Sequence, residues 1–427
     1  AGLGSAWQIV VMFLMAFNVL AIGASIVITH HLGSGDPAGA RRMALGAVCT
    51  NFWLGMVFSV LLAVCAPTLL GWAQLPPGLM VYALPFLQWM GGTLFLEAMN
   101  FALAATLRAH GHTREVLWVM LAQNVLNAAL TAVLVFGLLG VPQQGVTGVA
   151  LATVFSRGMA CAALWWLARR QIGLQMHWRH LLTVPLADLR RLLSFGGPAV
   201  IENISWLGAY MLITALTARM GEQPLATQTY AMQIANVVML FGLSVGLANE
   251  ILIGKLVGAG ELAQAHAMCL KHLKLGFIWT LVVAAVAAAA APWLMGAFTA
   301  DPVVVQGGVL LVMLGLVLEP GRSFNLILIN ALRASGDTRF PVLVGLCSQW
   351  GLMAFGAWAL GTGLGWGLLG VWCAFMADEW VRGLLMLWRW QGRAWMVPAR
   401  RAAEAARAAD AAPDPKLTDR PRTCHET

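Results

Sequence analysis

The sequence predicts an all-α integral membrane protein built as two repeated helical lobes. Three observations predict it. Of 427 residues, 60% are hydrophobic and 10% charged, against about 25% charged in soluble domains, and a soluble fold of this length could not hide so much apolar surface. The apolar residues fall in runs long enough to cross a bilayer, which takes about 20 residues per helix. The chain also repeats itself. Asn100, Arg108, Gly111 and Arg114 recur 225 positions further on as Asn325, Arg333, Gly336 and Arg339, and Leu32-Gly33-Ser34-Gly35-Asp36 recurs at that offset as Val257-Gly258-Ala259-Gly260-Glu261. A repeat of this length sets the architecture.

In chain order, about eleven spans are expected: Ala6–His31, Ala44–Leu70, Met80–Leu107, Val116–Leu139, Val146–Leu167, Phe195–Met220, Thr227–Leu256, Leu273–Phe298, Val303–Leu332, Pro341–Leu360 and Gly367–Trp390. Gly and Pro inside them are tolerated because neighbouring helices satisfy the freed backbone groups. The loops alternate in charge. One set carries Arg41, Arg42, Arg108, Arg114, Arg169, Arg170, Arg179, Arg190, Arg191, Lys255, Lys271, Lys274, Arg333, Arg339, Arg389 and Arg393, while the other has only Arg219 at its edge. The positive-inside rule makes the first set, and the C-terminus, cytoplasmic. The repeat offset places Ala1 opposite Ala226, so the span Phe195–Met220 has no counterpart in the first half. The expectation is an N-terminal lobe at 1–170 lacking the first helix of its repeat. A cytoplasmic interfacial linker follows at 171–192, with Pro185 to Leu193 as a surface helix. A six-helix C-terminal lobe occupies 193–391, and 392–427 is a largely disordered cytoplasmic tail, weakly helical over Ala399–Ala412.

The net charge of +8 follows the loops and does not indicate nucleic acid. The seven cysteines are scattered, with no C-x-x-C pair, so neither a disulfide framework nor a zinc site is supported. No catalytic constellation is present, and the chain is read as a non-enzyme. Gly33-Ser34-Gly35-Asp36 is a turn after a span, not a phosphate cradle. His30 and His31 read as interfacial side chains before they read as ligands.

Ionisable groups inside spans carry the functional signal, since a charge at the bilayer centre costs at least about 2.5 kcal/mol. The ion-coupling and substrate candidates are Glu202, Asn203, Glu319, Arg322, Glu97, Asn249 and Glu250. Glu319 and Arg322 could simply neutralise each other, or serve transport, or both. Asp378, Glu379 and Arg382 read as a structural cluster near the cytoplasmic face. Asn100 and Asn325 read as helix–helix bonding. Arg108 and Arg333, with Gly33 and Gly258, read as loop and packing positions rather than substrate contacts. Glu202 is the hardest to explain blandly: a lone carboxylate in a Pro-containing helix with no cation nearby in sequence. Trp206, Trp350, Trp358 and Phe324 could line a cavity or face lipid. Glu97 and Arg322 hold the same repeat position with opposite charge.

These motifs resemble the multidrug and toxic compound extrusion (MATE) family of secondary transporters up to about Trp390. The resemblance rests on Gly23-Ala24-Ser25 with the two glycine turns, on Leu107-Arg108-Ala109-His110-Gly111 with Leu332-Arg333-Ala334-Ser335-Gly336-Asp337, and on Gly145-Val146-Thr147-Gly148-Val149-Ala150 with Gly367-Leu368-Leu369-Gly370-Val371-Trp372. It implies a V-shaped protein of two six-helix lobes in the bacterial inner membrane. Such a protein exports small organic, often cationic or amphiphilic compounds in exchange for H⁺ or Na⁺ and needs no other cofactor. Its partners would be the bilayer and small molecules, and it is expected to act as a monomer. The resemblance places coupling acids in the first helix and eleven residues before Arg333. The latter position here is Arg322, not an acid, which disfavours the family's usual sodium site, although Na⁺ near Glu202 and Glu319 stays open. The alternatives are a flippase of lipid-linked oligosaccharide or peptidoglycan precursors, which would need a strongly cationic cavity where only Arg322 qualifies, and an inactive truncated remnant.

Overall fold

The computed structural model describes residues 2–72, 77–140, 142–175 and 186–411. The described residues form helices connected by tight turns. The first lobe holds α1 (Gly2–Ser34), α2 (Pro37–Trp72), α3 (Pro77–Gly92), α4 (Leu94–Ala109), α5 (Thr113–Phe136) and α6 (Gly145–Leu167). The second holds α7 (Leu186–Arg219), α8 (Glu222–Ala259), α9 (Leu262–Ala289), the short α10 (Ala291–Gly296) and α11 (Pro302–Ala334). It continues with α12 (Arg339–Gly363), which is interrupted by wide turns at Gln349–Ala354 and Ala359–Gly363, and with α13 (Gly367–Gln391). A last helix, α14, covers Met396–Ala411.

Among the described residues nine helices are long and apolar enough to cross a membrane, and α3 with α4, bent by 44° at Thr93, makes a tenth. The expected eleventh span is α13, 25 residues long. Its Asp378, Glu379 and Arg382 make it polar for a span, yet all three are buried. The outer faces are apolar: Leu117, Trp118, Leu121 and Val125 form an exposed stripe along α5. Such a patch is stable only against lipid or a partner.

Four buried clusters fill the lobes. Two draw on α1 to α6, for example around Phe17, Leu62 and Leu94, and around Val27, Val48 and Leu103. Two draw on α7 to α14, around Ile213, Leu311 and Trp372, and around Ile253, Leu328 and Trp390. Among these clusters only Leu192 and Phe195, at the start of α7, cross from the second half to the first.

The lobes meet along α1 and α8, and the contact is built on the repeat. A Cβ on Gly33 would run into Lys255, with the Lys255 carbonyl carbon at 2.8 Å, and a Cβ on Gly258 would run into His30, with its Cα at 2.8 Å. Gly33 is the counterpart of Gly258, and His30 of Lys255, at the 225-residue offset. Likewise a Cβ on Gly254 would strike the Thr29 hydroxyl, and Thr29 is the counterpart of Gly254. Thr29 faces its own counterpart and so lies on a pseudo-twofold axis, which also relates the Gly33–Lys255 contact to the Gly258–His30 contact. The absence of side chains here lets the helix backbones approach closely.

Three expectations are corrected. His30 and His31 are not interfacial. Both are buried, with His30 Nε2 2.7 Å from the Ala334 carbonyl and His31 Nδ1 2.9 Å from Asp36 Oδ2. Leu186 to Leu193 is helical but runs unbroken into α7 rather than forming a separate surface helix. Residues 176–185 of the expected linker and 412–427 of the tail lie outside the described residues. The helix expected over Ala399–Ala412 is present as Met396–Ala411, but it is packed rather than a surface segment, because Ala399 and Ala403 are buried where it meets α1 and α8. Trp395 anchors its start by stacking on Trp390 at 4.0 Å.

Candidate functional site

Between the lobes lies a cavity of about 600 Å³. α1 and α4 contribute Asn18, Glu97, Asn100 and Arg108, α5 contributes Met120 and Gln123, and the second lobe brings Glu202, Asn203, Trp206, Arg322, Arg333 and Arg382. Of the seven coupling and substrate candidates, Glu202, Asn203, Arg322 and Glu97 line this space, whereas Glu319 stands behind Arg322 in the second lobe. Asn249 is turned to its neighbours: its amide reaches the Ile327 carbonyl and its oxygen meets His272 Nδ1 at 2.9 Å. Glu250 is buried at the lobe contact.

One continuous ion-pair network joins α7, α11 and α13. Glu319 pairs with Arg322 at 3.0 Å, Arg322 reaches Glu379 at 3.4 Å, and Glu379 meets Arg382 at 3.3 Å. Arg382 also holds Asp378 at 2.6 Å and approaches Glu202 at 3.9 Å, and Glu202 is bonded by Arg333 at 2.7 Å. Asn325 donates to Glu379 at 3.0 Å, and the Ser348 hydroxyl donates to Asp378. All these ionised side chains are almost fully buried, where charges persist only when paired and hydrogen-bonded.

The first lobe carries a reduced version. Glu97 of α4 pairs with Arg157 of α6 at 3.0 Å, and Asn100 donates to the Arg157 carbonyl. Glu97 is the repeat counterpart of Arg322, and Asn100 of Asn325. The later motif pair, Gly145 with Gly367, sets an offset of 222 for the last helices of each half. By that offset Arg157 is the counterpart of Glu379. The same inter-helix ion pair therefore occurs in both lobes with its charges exchanged. Replacing both residues, Glu97→Arg with Arg157→Glu, should reproduce the second lobe's polarity. Each single change should cost about 3–5 kcal/mol through a buried unpaired charge, and the double change should recover most of it. Thermal midpoints of the three purified variants check this; a double variant no better than the singles would refute the equivalence.

Several sequence readings change. Glu202 is not without a cation, since Arg333 reaches it from 131 positions away. Arg108 and Arg333 are not only loop-fixing residues, because both face the cavity. The cluster Asp378, Glu379 and Arg382 is part of the cavity network, not apart from it. Four arginines line the cavity, against an expectation of Arg322 alone, and among the described residues Arg108 alone of the four makes no ion pair. Arg157 is not among the sequence candidates, although an arginine within an apolar span and the shifted offset both mark it. Trp206 lines the cavity, stacked on Tyr210 at 5.2 Å, whereas Trp350 and Trp358 are half exposed and Phe324 packs on Phe277 and Trp380. Among the described residues no group of three or more His, Cys, Asp or Glu could hold a metal ion.

The MatE family model matches residues 1–133 and 198–358. An uncharacterized transporter of Bacillus subtilis, YisQ, is 35% identical over 93% of this chain and 87% of its own length. A probable multidrug resistance protein NorM of Chromobacterium violaceum is 25% identical over 84% of this chain and 79% of its own. Among solved structures, a multidrug resistance MATE family transporter in an outward-facing conformation superposes with a TM-score of 0.83 at 18% identity, covering 95% of this chain and 88% of that one. A MOP superfamily transporter from Pyrococcus furiosus, described as having a binding pocket of reverse polarity, superposes with a TM-score of 0.84 at 18% identity, covering 92% and 87%.

Proposed function

This chain belongs to the MatE family of membrane transporters, and from that premise we propose that it is a proton-coupled exporter of small organic compounds in the bacterial inner membrane, with its basic loops and C-terminus in the cytoplasm. The observation that carries the reading is the inter-lobe cavity. Its volume suits a drug-sized ligand, for which pockets of about 300–1,000 Å³ are usual. Met120, Met232 and Met239 with Phe101 and Trp206 supply an adaptable apolar wall, since thioethers repack around unlike ligands. Carboxylates on the same wall, Glu97, Glu202 and Glu379, supply acidic groups on which a coupling cation can act.

Na⁺ is disfavoured by the occupancy of those carboxylates. A sodium ion needs several free oxygens, and guanidinium groups already hold Glu97, Glu202, Glu319 and Glu379. The flippase reading is not favoured, because three of the four cavity arginines are neutralised by these acids.

Proteoliposomes loaded with ethidium test the function. An inward proton gradient should drive its export and a sodium gradient should not. Glu202→Gln, which keeps the shape of the side chain, should slow export at least about tenfold, within the 5–150-fold range of typical coupling energies. No transport under either gradient by the wild-type chain would overturn the exporter reading.

A further inference from the structure

Among the described residues, Glu250 is a buried carboxylate at the lobe contact that the cavity network does not use. It lies on α8, 2% exposed, and its repeat counterpart is Ser25 on α1. The two meet: the Ser25 hydroxyl donates to the Glu250 carboxyl group. The pseudo-twofold axis therefore passes between a serine and a glutamate, one turn from the Thr29 and Gly254 contact. Arg108 of α4 and Arg333 of α11, themselves repeat counterparts, both lie near enough to act on the Glu250 charge. Neither forms an ion pair with it among the described residues, and Arg333 is already committed to Glu202. His272 of α9 is engaged by the adjacent Asn249. Glu250 Oε2 has no hydrogen-bond partner among the described residues.

We propose that Glu250 is a proton-binding site that controls the cytoplasmic gate: as a neutral acid it lets α1 and α8 close, and as a carboxylate it holds them apart. A buried carboxylate is costly unless paired and fully hydrogen-bonded, and the closed contact offers it one hydroxyl. The neutral acid has no such cost and keeps the Ser25 bond. Parting α1 from α8 admits cytoplasmic water to the group and frees Arg108 to approach it, which favours the charge. Opening to the cytoplasm thus releases a proton there, and closing requires one. This rests on the exporter reading for the direction of the cycle, but the gate itself can be observed without transport.

The test is the distance across the cytoplasmic end. Spin labels at Arg41→Cys and Lys271→Cys, both exposed, would be placed in a full chain whose seven native cysteines are replaced. In the wild-type background the distance should lengthen as pH rises from about 5 to about 9, the range over which perturbed carboxyl groups titrate. Glu250→Gln should stay at the short distance throughout, and Glu250→Asp should keep the pH response. Should Gln impair folding, Glu250→Ser makes the contact symmetric with Ser25 and should behave in the same way. A Gln or Ser variant that opens over the same pH range as wild type overturns the proposal, as does a wild-type distance indifferent to pH. Gating without export under any gradient would overturn the exporter reading instead. Export with a gate indifferent to residue 250 would overturn this inference alone.

Discussion

Gly258→Ala is expected to reduce export at least about fivefold while leaving the protein in the membrane, and Gly33→Ala to do the same, because overpacking costs about 1–3 kcal/mol and this shifts a two-state equilibrium about 5–150-fold. A methyl group on Gly258 would overlap the His30 carbonyl and stand 2.8 Å from its Cα, where real Cβ atoms keep beyond 3.0 Å. Both obstacles are backbone, so no rotamer change relieves them and α1 must move away from α8. The cost falls on the closed state alone, since the helices separate when this end opens. The two glycines are counterparts across the axis, and the two variants should therefore match in effect. Gly197→Ala is the control, because a Cβ there meets nothing within 4 Å. The spin-label distance across this end should be longer in both glycine variants than in the control. Equal distances and equal export would show that the contact is not a gate.

The sequence carried much of this arrangement in its repeat. The offset of 225 brings Gly33 and Gly258 into correspondence by counting alone, and the opposed charges of Glu97 and Arg322 are visible at one repeat position. What the offset does not reveal is which residues touch. That Arg333 holds Glu202 depends on where α7 is placed relative to α11, a tertiary arrangement that no local pattern encodes. Arg157 is recognisable as the counterpart of Glu379 only when the spacing is shortened by three residues after the loops that follow Arg114 and Arg339. The helix α14 is legible as a weakly helical segment, but its packing is not. Among its described side chains the buried ones are the alanines Ala399 and Ala403, flanked by exposed Arg400, Arg401 and Glu404. Small side chains contribute little to a hydrophobic pattern, so a packed helix reads as a weakly helical surface segment.

Arg382→Met should destabilise the protein by about 3–5 kcal/mol, on the scale of broken buried ion pairs. The guanidinium is 4% exposed and meets three acids: Asp378 at 2.6 Å, Glu379 at 3.3 Å and Glu202 at 3.9 Å. Its removal does not strand them equally. Glu202 retains Arg333, and Glu379 retains Arg322 and Asn325, but Asp378 keeps only the Ser348 hydroxyl. The loss should therefore centre on Asp378, and Asp378→Asn added to Arg382→Met should recover much of it, because the amide oxygen can still accept from Ser348. Arg382→Lys should fall between, since an ammonium keeps the charge but cannot span acids on two helices with a planar fork. Members of one network couple non-additively, so the Arg382→Met and Arg322→Met pair should cost less than the sum of its parts. Thermal midpoints in detergent rank the five proteins. A double Arg382→Met, Asp378→Asn variant no more stable than Arg382→Met alone would mean that the network is not held together through Asp378.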